Sequence, residues 1–288
     1  MDDIITVMKN TLTFFTLLST FFLASCGGSG NSLMSVVEKD PMETTSSMED
    51  SKKAISSNQP IFEINSIGAV SPITASETDT FVACSSAQTR VGGACKCGED
   101  GNMTRNLASS NNDWVCSCDE IRDGTNPKAY AICANDTVTS VSVQSVAISA
   151  EDTEYEVSCT GDDIAISGSA SCSDDGSNTI NAVFPSGPQS WVAECDDISG
   201  SPKAYAYCVA PLSPAVSGKT VKVYESTFAG TSGTISCPAA GRMISGGCQC
   251  PNSTELDNSY TTDLNQWNCY CNGGTGSTSS KAFALCAE

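Results

Sequence analysis

The chain has 288 residues, a formal charge of −19, 17 cysteines and no histidine. Its acidity argues against a nucleic-acid partner, which rewards Lys and Arg gathered on one face. Without histidine there is no Ser-His-Asp or Cys-His arrangement and no imidazole for a catalytic zinc, so no catalytic residue, metal or cofactor is expected.

At the N-terminus, Lys9 precedes an apolar run from Leu12 to Leu23, which ends in Leu23-Ala24-Ser25-Cys26 and is followed by Gly27-Gly28-Ser29-Gly30. A positive charge, a short apolar stretch and small residues make an export signal. The run is too short to cross about 30 Å of hydrocarbon, which takes about 20 residues. Asp2 and Asp3 stand where basic residues are expected, so Met8 is an alternative start. The Leu-Ala-Ser-Cys ending resembles the lipobox of bacterial lipoproteins. That resemblance implies removal of residues 1–25, diacylglyceryl transfer to Cys26 and acylation of its new amine, which together anchor the chain to a membrane. Gly27 in place of Asp implies, by the sorting rule of enteric bacteria, transfer to the outer membrane.

Residues 26–60 are poor in aromatics and rich in Ser, Thr, Met and acids, as in Glu43-Thr44-Thr45-Ser46-Ser47-Met48-Glu49-Asp50. They bury too little apolar surface to order themselves and are expected to form a disordered tether.

Beyond the tether the chain repeats itself, over 61–135, 139–210 and 217–288. Cys84 and Cys133, Cys159 and Cys208, and Cys237 and Cys286 are each 49 residues apart. Between them recur a Gly-rich approach to Cys-x-Cys (Cys95 and Cys97; Cys248 and Cys250) and then Trp-x-Cys-x-Cys (Cys116 and Cys118; Cys269 and Cys271). Each repeat closes on Lys-Ala-aromatic-Ala-x-Cys, and all three tryptophans, Trp114, Trp191 and Trp267, share one repeat position.

The middle repeat has Ala170 where Cys95 and Cys248 stand, and Ala193 where Cys116 and Cys269 stand. Joint loss identifies partners, since losing one alone leaves a free thiol. Cys95 is therefore paired with Cys116, and Cys248 with Cys269. Of the three connectivities that remain per repeat, first-to-last closure (Cys84–Cys133, Cys159–Cys208, Cys237–Cys286) is favoured by the invariant span. Cys97–Cys118, Cys172–Cys195 and Cys250–Cys271 then follow.

Local patterning predicts strands. Lys128–Cys133 and Trp114–Cys118 alternate, as do the lead-in stretches Ile61–Ile64, Val141–Val143 and Val221–Val223. Gly98–Asn102 and Ser173–Asn178 carry turn chemistry. The fold class expected is all-β: three tandem small disulfide-stapled β-repeats. Repeats of about 75 residues with few aromatics need such staples.

The order Cys, Gly-Gly-x-Cys, Trp-x-Cys, Ala-Tyr-Ala-x-Cys resembles a small secreted module of bacterial exported proteins. The resemblance covers 84–134, 159–209 and 237–287, with no Gly-Gly-x-Cys in the second, and it implies a fold and no catalytic residue. Cys-x-Cys could hold zinc or copper in a reducing setting, but export and paired loss favour disulfides. Asp100, Asn102, Asp174, Asp175 and Asn178 have the oxygen donors of calcium ligands, although turn formation explains them more simply. The tryptophans could stack on sugars, although a Trp beside a disulfide in every repeat reads first as core. Tyr130, Tyr205 and Phe283 face away from the cysteines, as second-layer core or a repeated contact surface.

The function expected is that of a lipid-anchored envelope protein, not an enzyme, displaying repeated modules that bind a surface ligand, protein or glycan. Tethered repeats gain avidity without strong single sites. The alternative is a passive envelope or surface-coat component, and a remoter one is a hydrolase built on paired carboxylates.

Overall fold

The computed structural model describes residues 66–73, 79–98, 101–109, 112–119, 121, 127–135, 140–174, 177–211, 219–251, 254–263, 265–272 and 279–288. The export signal, Cys26, the tether and the Ile61–Ile64 stretch lie outside the described residues. Those described are all-β, with six strands per repeat. The first repeat supplies β1 (Ser66–Pro72), β2 (Thr80–Ala83), β3 (Gln88–Lys96), β4 (Met103–Ala108), β5 (Asp113–Cys118) and β6 (Lys128–Asn135). The second supplies β7 (Ser142–Ala147), β8 (Tyr155–Ser158), β9 (Ile164–Ser171), β10 (Ile180–Gly187), β11 (Ser190–Cys195) and β12 (Lys203–Val209). The third supplies β13 (Val221–Phe228), β14 (Ser232–Ser236), β15 (Arg242–Gln249), β16 (Leu256–Thr261), β17 (Gln266–Cys271) and β18 (Ser280–Ala287).

No repeat keeps its strands in one sheet. The three six-stranded sheets run β1-β6-β3-β16-β17-β14, β7-β12-β9-β4-β5-β2 and β13-β18-β15-β10-β11-β8. Each joins the first, third and last strands of one repeat to the other three strands of the preceding repeat. The third repeat precedes the first in this sense, so the pairing closes on itself. Each junction is a short antiparallel ladder: Lys96↔Asn258 and Cys95↔Ser259, Ser171↔Arg105 and Ala170↔Asn106, Gln249↔Ala182 and Cys248↔Val183. Register is identical at all three.

The disulfides run the other way and tie the two halves of one repeat across two sheets. Cys84–Cys133, Cys159–Cys208 and Cys237–Cys286 each span 49 residues. Cys95–Cys116 and Cys248–Cys269 are the pairs drawn from the joint loss in the middle repeat. Cys97–Cys118, Cys172–Cys195 and Cys250–Cys271 complete the set. In the chain-entropy picture a link across about 50 residues contributes roughly 4 kcal/mol.

Between the halves lies a tryptophan. Trp114, Trp191 and Trp267 are fully buried, each against a glycine of the facing strand: a Cβ on Gly93, Gly168 or Gly246 would overlap the indole. A buried indole N–H needs an acceptor. Asn106 Oδ1 takes it from Trp114 at 2.6 Å and Ser259 Oγ from Trp267 at 3.0 Å. In the middle repeat the same position is Val183, and Trp191 donates instead to the Ala165 carbonyl at 3.4 Å. Beside Trp114, the Arg90 guanidinium lies over the Trp114 and Tyr207 rings, 5.7 and 5.1 Å from their centroids, and burial lowers its pKa.

Two outcomes are expected. Gly168→Ala forces Trp191 from its seat and lowers stability by about 1–3 kcal/mol, the usual cost of overpacking, seen as a lower melting temperature with a changed tryptophan emission. Ala170 and Ala193 are buried two residues before Cys172 and Cys195, as Cys95 and Cys116 are before Cys97 and Cys118. Ala170→Cys with Ala193→Cys is therefore expected to oxidise spontaneously and add up to about 3 kcal/mol. A free-thiol titration that finds both thiols unreacted after oxidative refolding would refute this site.

Candidate functional site

The sheets have an inner side, where cysteines and tryptophans pack, and an outer side. On β15 Gly246 and Cys248 point inward, so Gly247 and Gln249 point outward. Gly247 pairs with Phe283 of β18 on one side, and β10 lies on the other. With no side chain on Gly247 in the way, Phe283 and Phe184 meet above it, centroids 4.5 Å apart and planes at 15°. They form, with Ala182 and Val192, an apolar cluster separate from the main core.

Phe184 and Phe283, both largely buried, lie beneath an open groove of about 480 Å³ across the seam between the second and third repeats. Its rim is polar. Gln249 Nε2 donates to Glu154 Oε1 at 2.7 Å, Lys281 pairs with Glu225 at 3.3 Å, and Ser186 Oγ donates to Glu156 Oε1 at 2.7 Å. Hydrogen bonds from Ser186 and Ser190 hold the Glu156 carboxyl below its usual range. Edges of buried aromatic rings beneath paired donors and acceptors make this a shallow, mostly polar candidate ligand site.

The corresponding places on the other sheets differ. On the first, Tyr130 and Tyr260 stack with centroids 5.8 Å apart, and Lys96 Nζ lies 5.6 Å from the Tyr260 ring. Burial, then the Tyr260 charge, push the Tyr130 phenol up to about 12. On the second, Tyr205 stands in the place of Tyr130 and Leu107 in that of Tyr260, and Arg105 of that sheet pairs with Asp79 at 2.8 Å.

Tyr130, Tyr205 and Phe283 therefore lie on the strand face away from the cysteines, as read from the sequence, and Tyr130 and Phe283 are buried there as second-layer core. Their partners were missed, although a signal existed: Leu107, Phe184 and Tyr260 each lie seven residues before a tryptophan. The tryptophans themselves are core and present no face to a sugar. Cys97, Cys116 and Cys118 bring their sulfurs within 4.8 Å of one another, but each is in a disulfide and none offers a thiolate. Among the calcium-type residues, the Asn102 backbone N–H donates to Asp119 Oδ1 at 2.8 Å, and Asn178 lies beside Ser177 and Ser199. Asp174 packs against Gly200, which sits at φ +68°. These are turn contacts; Asp100 and Asp175 lie outside the described residues.

No protein-family profile matches the chain, and none of the curated proteins compared with it matches.

Proposed function

We propose that this chain is a lipid-anchored protein of the bacterial cell envelope, attached through Cys26 to the outer membrane, which binds a surface ligand. Leu23-Ala24-Ser25-Cys26 supports the anchor. Eight disulfides agree with an oxidising compartment outside the cytoplasm.

The groove over Phe184 and Phe283 carries the binding reading. The ring edges beneath it suit the apolar face of a sugar ring, and Gln249, Ser186, Glu225 and Lys281 on its rim can hydrogen-bond hydroxyls. A glycan is thus the ligand class it fits best. No catalytic role enters the proposal.

Two measurements test it. Mass spectrometry of the mature protein is expected to find a diacylated Cys26 at its N-terminus, and Cys26→Ser to release the protein from membranes; a soluble form with a free Cys26 thiol would sink the anchor. A glycan array probed with the oxidised full-length protein is expected to give saturable binding that Phe184→Ala and Phe283→Ala each weaken by about tenfold, as for a central anchor. Absence of saturable binding would favour the passive-coat alternative.

A further inference from the structure

Each sheet ends in two strands with one free backbone edge: β1 and β14, β2 and β7, β8 and β13. Such an edge pairs with another chain unless something blunts it. Five of the six are blunted. β2 and β8 have four residues each, and β14 has five. β1 carries Pro72 and an irregularity between Ile67 and Ala69. β13 carries Lys222 and Glu225, which pair with Glu288 and Lys281.

β7 has none of these devices. Its six residues, Ser142-Val143-Gln144-Ser145-Val146-Ala147, pair with β12 without a break in register. No charged residue occurs from Thr137 to Ala150. The Ile148 N–H donates to the Pro202 carbonyl, one step beyond the Ala147↔Lys203 pair. Bonding alternates along an antiparallel ladder, so Gln144 and Val146 also turn their backbone groups to β12, while Val143, Ser145 and Ala147 turn theirs outward. All three are exposed, and among the described residues no hydrogen bond reaches those outward N–H and C=O groups. Val143 leaves an apolar side chain 51% exposed at this edge.

We infer that β7 is an interface between two copies of this chain, joined antiparallel about a two-fold axis through Ser145. Ser145 then meets its own counterpart, and Val143 of each copy meets Ala147 of the other, as an isologous contact requires. Each outward N–H and C=O finds a partner, so the sheet runs on from one copy into the next. Val143 is covered by Ala147 on the same face. Charge selects the second copy's own β7 as the occupant. A chain of formal charge −19 repels its copies wherever acids meet, and along this edge no acid meets another.

Sedimentation equilibrium of the oxidised full-length protein tests this, with Cys26→Ser so that neither an acyl chain nor an extra thiol contributes. The seam is small, so a weak dimer is expected, half formed by about 200 µM. Exchange of the Val143, Ser145 and Ala147 amide protons is expected to slow as the dimer fills. Ser145→Pro removes an N–H that β12 does not use, a change an edge strand tolerates, and is expected to weaken the dimer by about tenfold or more. Val143→Lys, which places like charges along the seam, is expected to weaken it similarly, and Thr227→Lys, exposed on β13, to leave it unchanged. Three results overturn the interface: less than half dimer at about 200 µM, a dimer in which those amides exchange as in the monomer, or undiminished assembly of folded Ser145→Pro and Val143→Lys.

Discussion

Trp114 lies on Gly93, Trp191 on Gly168 and Trp267 on Gly246, and in each case the indole and the glycine belong to different sheets. Much else in the architecture answers to this contact. A glycine is required because any side chain would occupy the space of the ring. An acceptor is required within reach of the indole nitrogen. In the first and third repeats a cysteine stands two residues after the glycine and its partner two residues after the tryptophan, so a disulfide closes beside the contact that the tryptophan fills. Removing such a ring from a core costs about 3–5 kcal/mol, comparable to the contribution of one long-range disulfide, so neither fastener is redundant.

Because each repeat is divided between two sheets, its internal bonds and its neighbours' bonds do different work. Disulfides and tryptophans join sheet to sheet within a repeat. Backbone ladders join repeat to repeat within a sheet. Alternating around three repeats, the two kinds of bond return to their starting point, and the described residues form one unit. The middle repeat shows how much tolerance this leaves. It has lost a disulfide and the side-chain acceptor of its indole, yet Ala170 and Val183 keep the register of their counterparts. The strand from Ile164 to Ser171 turns a backbone carbonyl to Trp191 in compensation.

Half of each repeat was legible in the sequence. The strands ending in Cys133, Cys208 and Cys286 and those beginning with the tryptophans announce themselves by alternation, and the pairs Cys95–Cys116 and Cys248–Cys269 followed from Ala170 and Ala193. The strands beginning at Met103 and Leu256 did not, because their buried positions hold Thr104, Asn106, Asp257 and Ser259, which read as loop. Those polar residues are there for the indoles and the strand irregularities, a tertiary requirement that local patterning does not express. Sharing of sheets between repeats was equally hidden, since each junction rests on ladders of two residue pairs rather than on any motif. The groove depends on a contact between Phe184 and Phe283, some hundred residues apart, and on the absence of a side chain at Gly247. Only Phe283 could be named as outward in advance.

Repetition inside and divergence outside have a consequence for function. On the inner side the three repeats hold the same tryptophan, the same glycine and nearly the same cysteines. On the outer side the equivalent places read Tyr130, Tyr260 and Lys96 on one sheet, Tyr205 and Leu107 on the next, and Phe184 and Phe283 on the third. Three different faces cannot supply three equal sites, so avidity of the kind that tandem identical modules provide does not arise within one chain. The fold then serves as a symmetric frame whose interior must repeat and whose surface is free to specialise one face at a time.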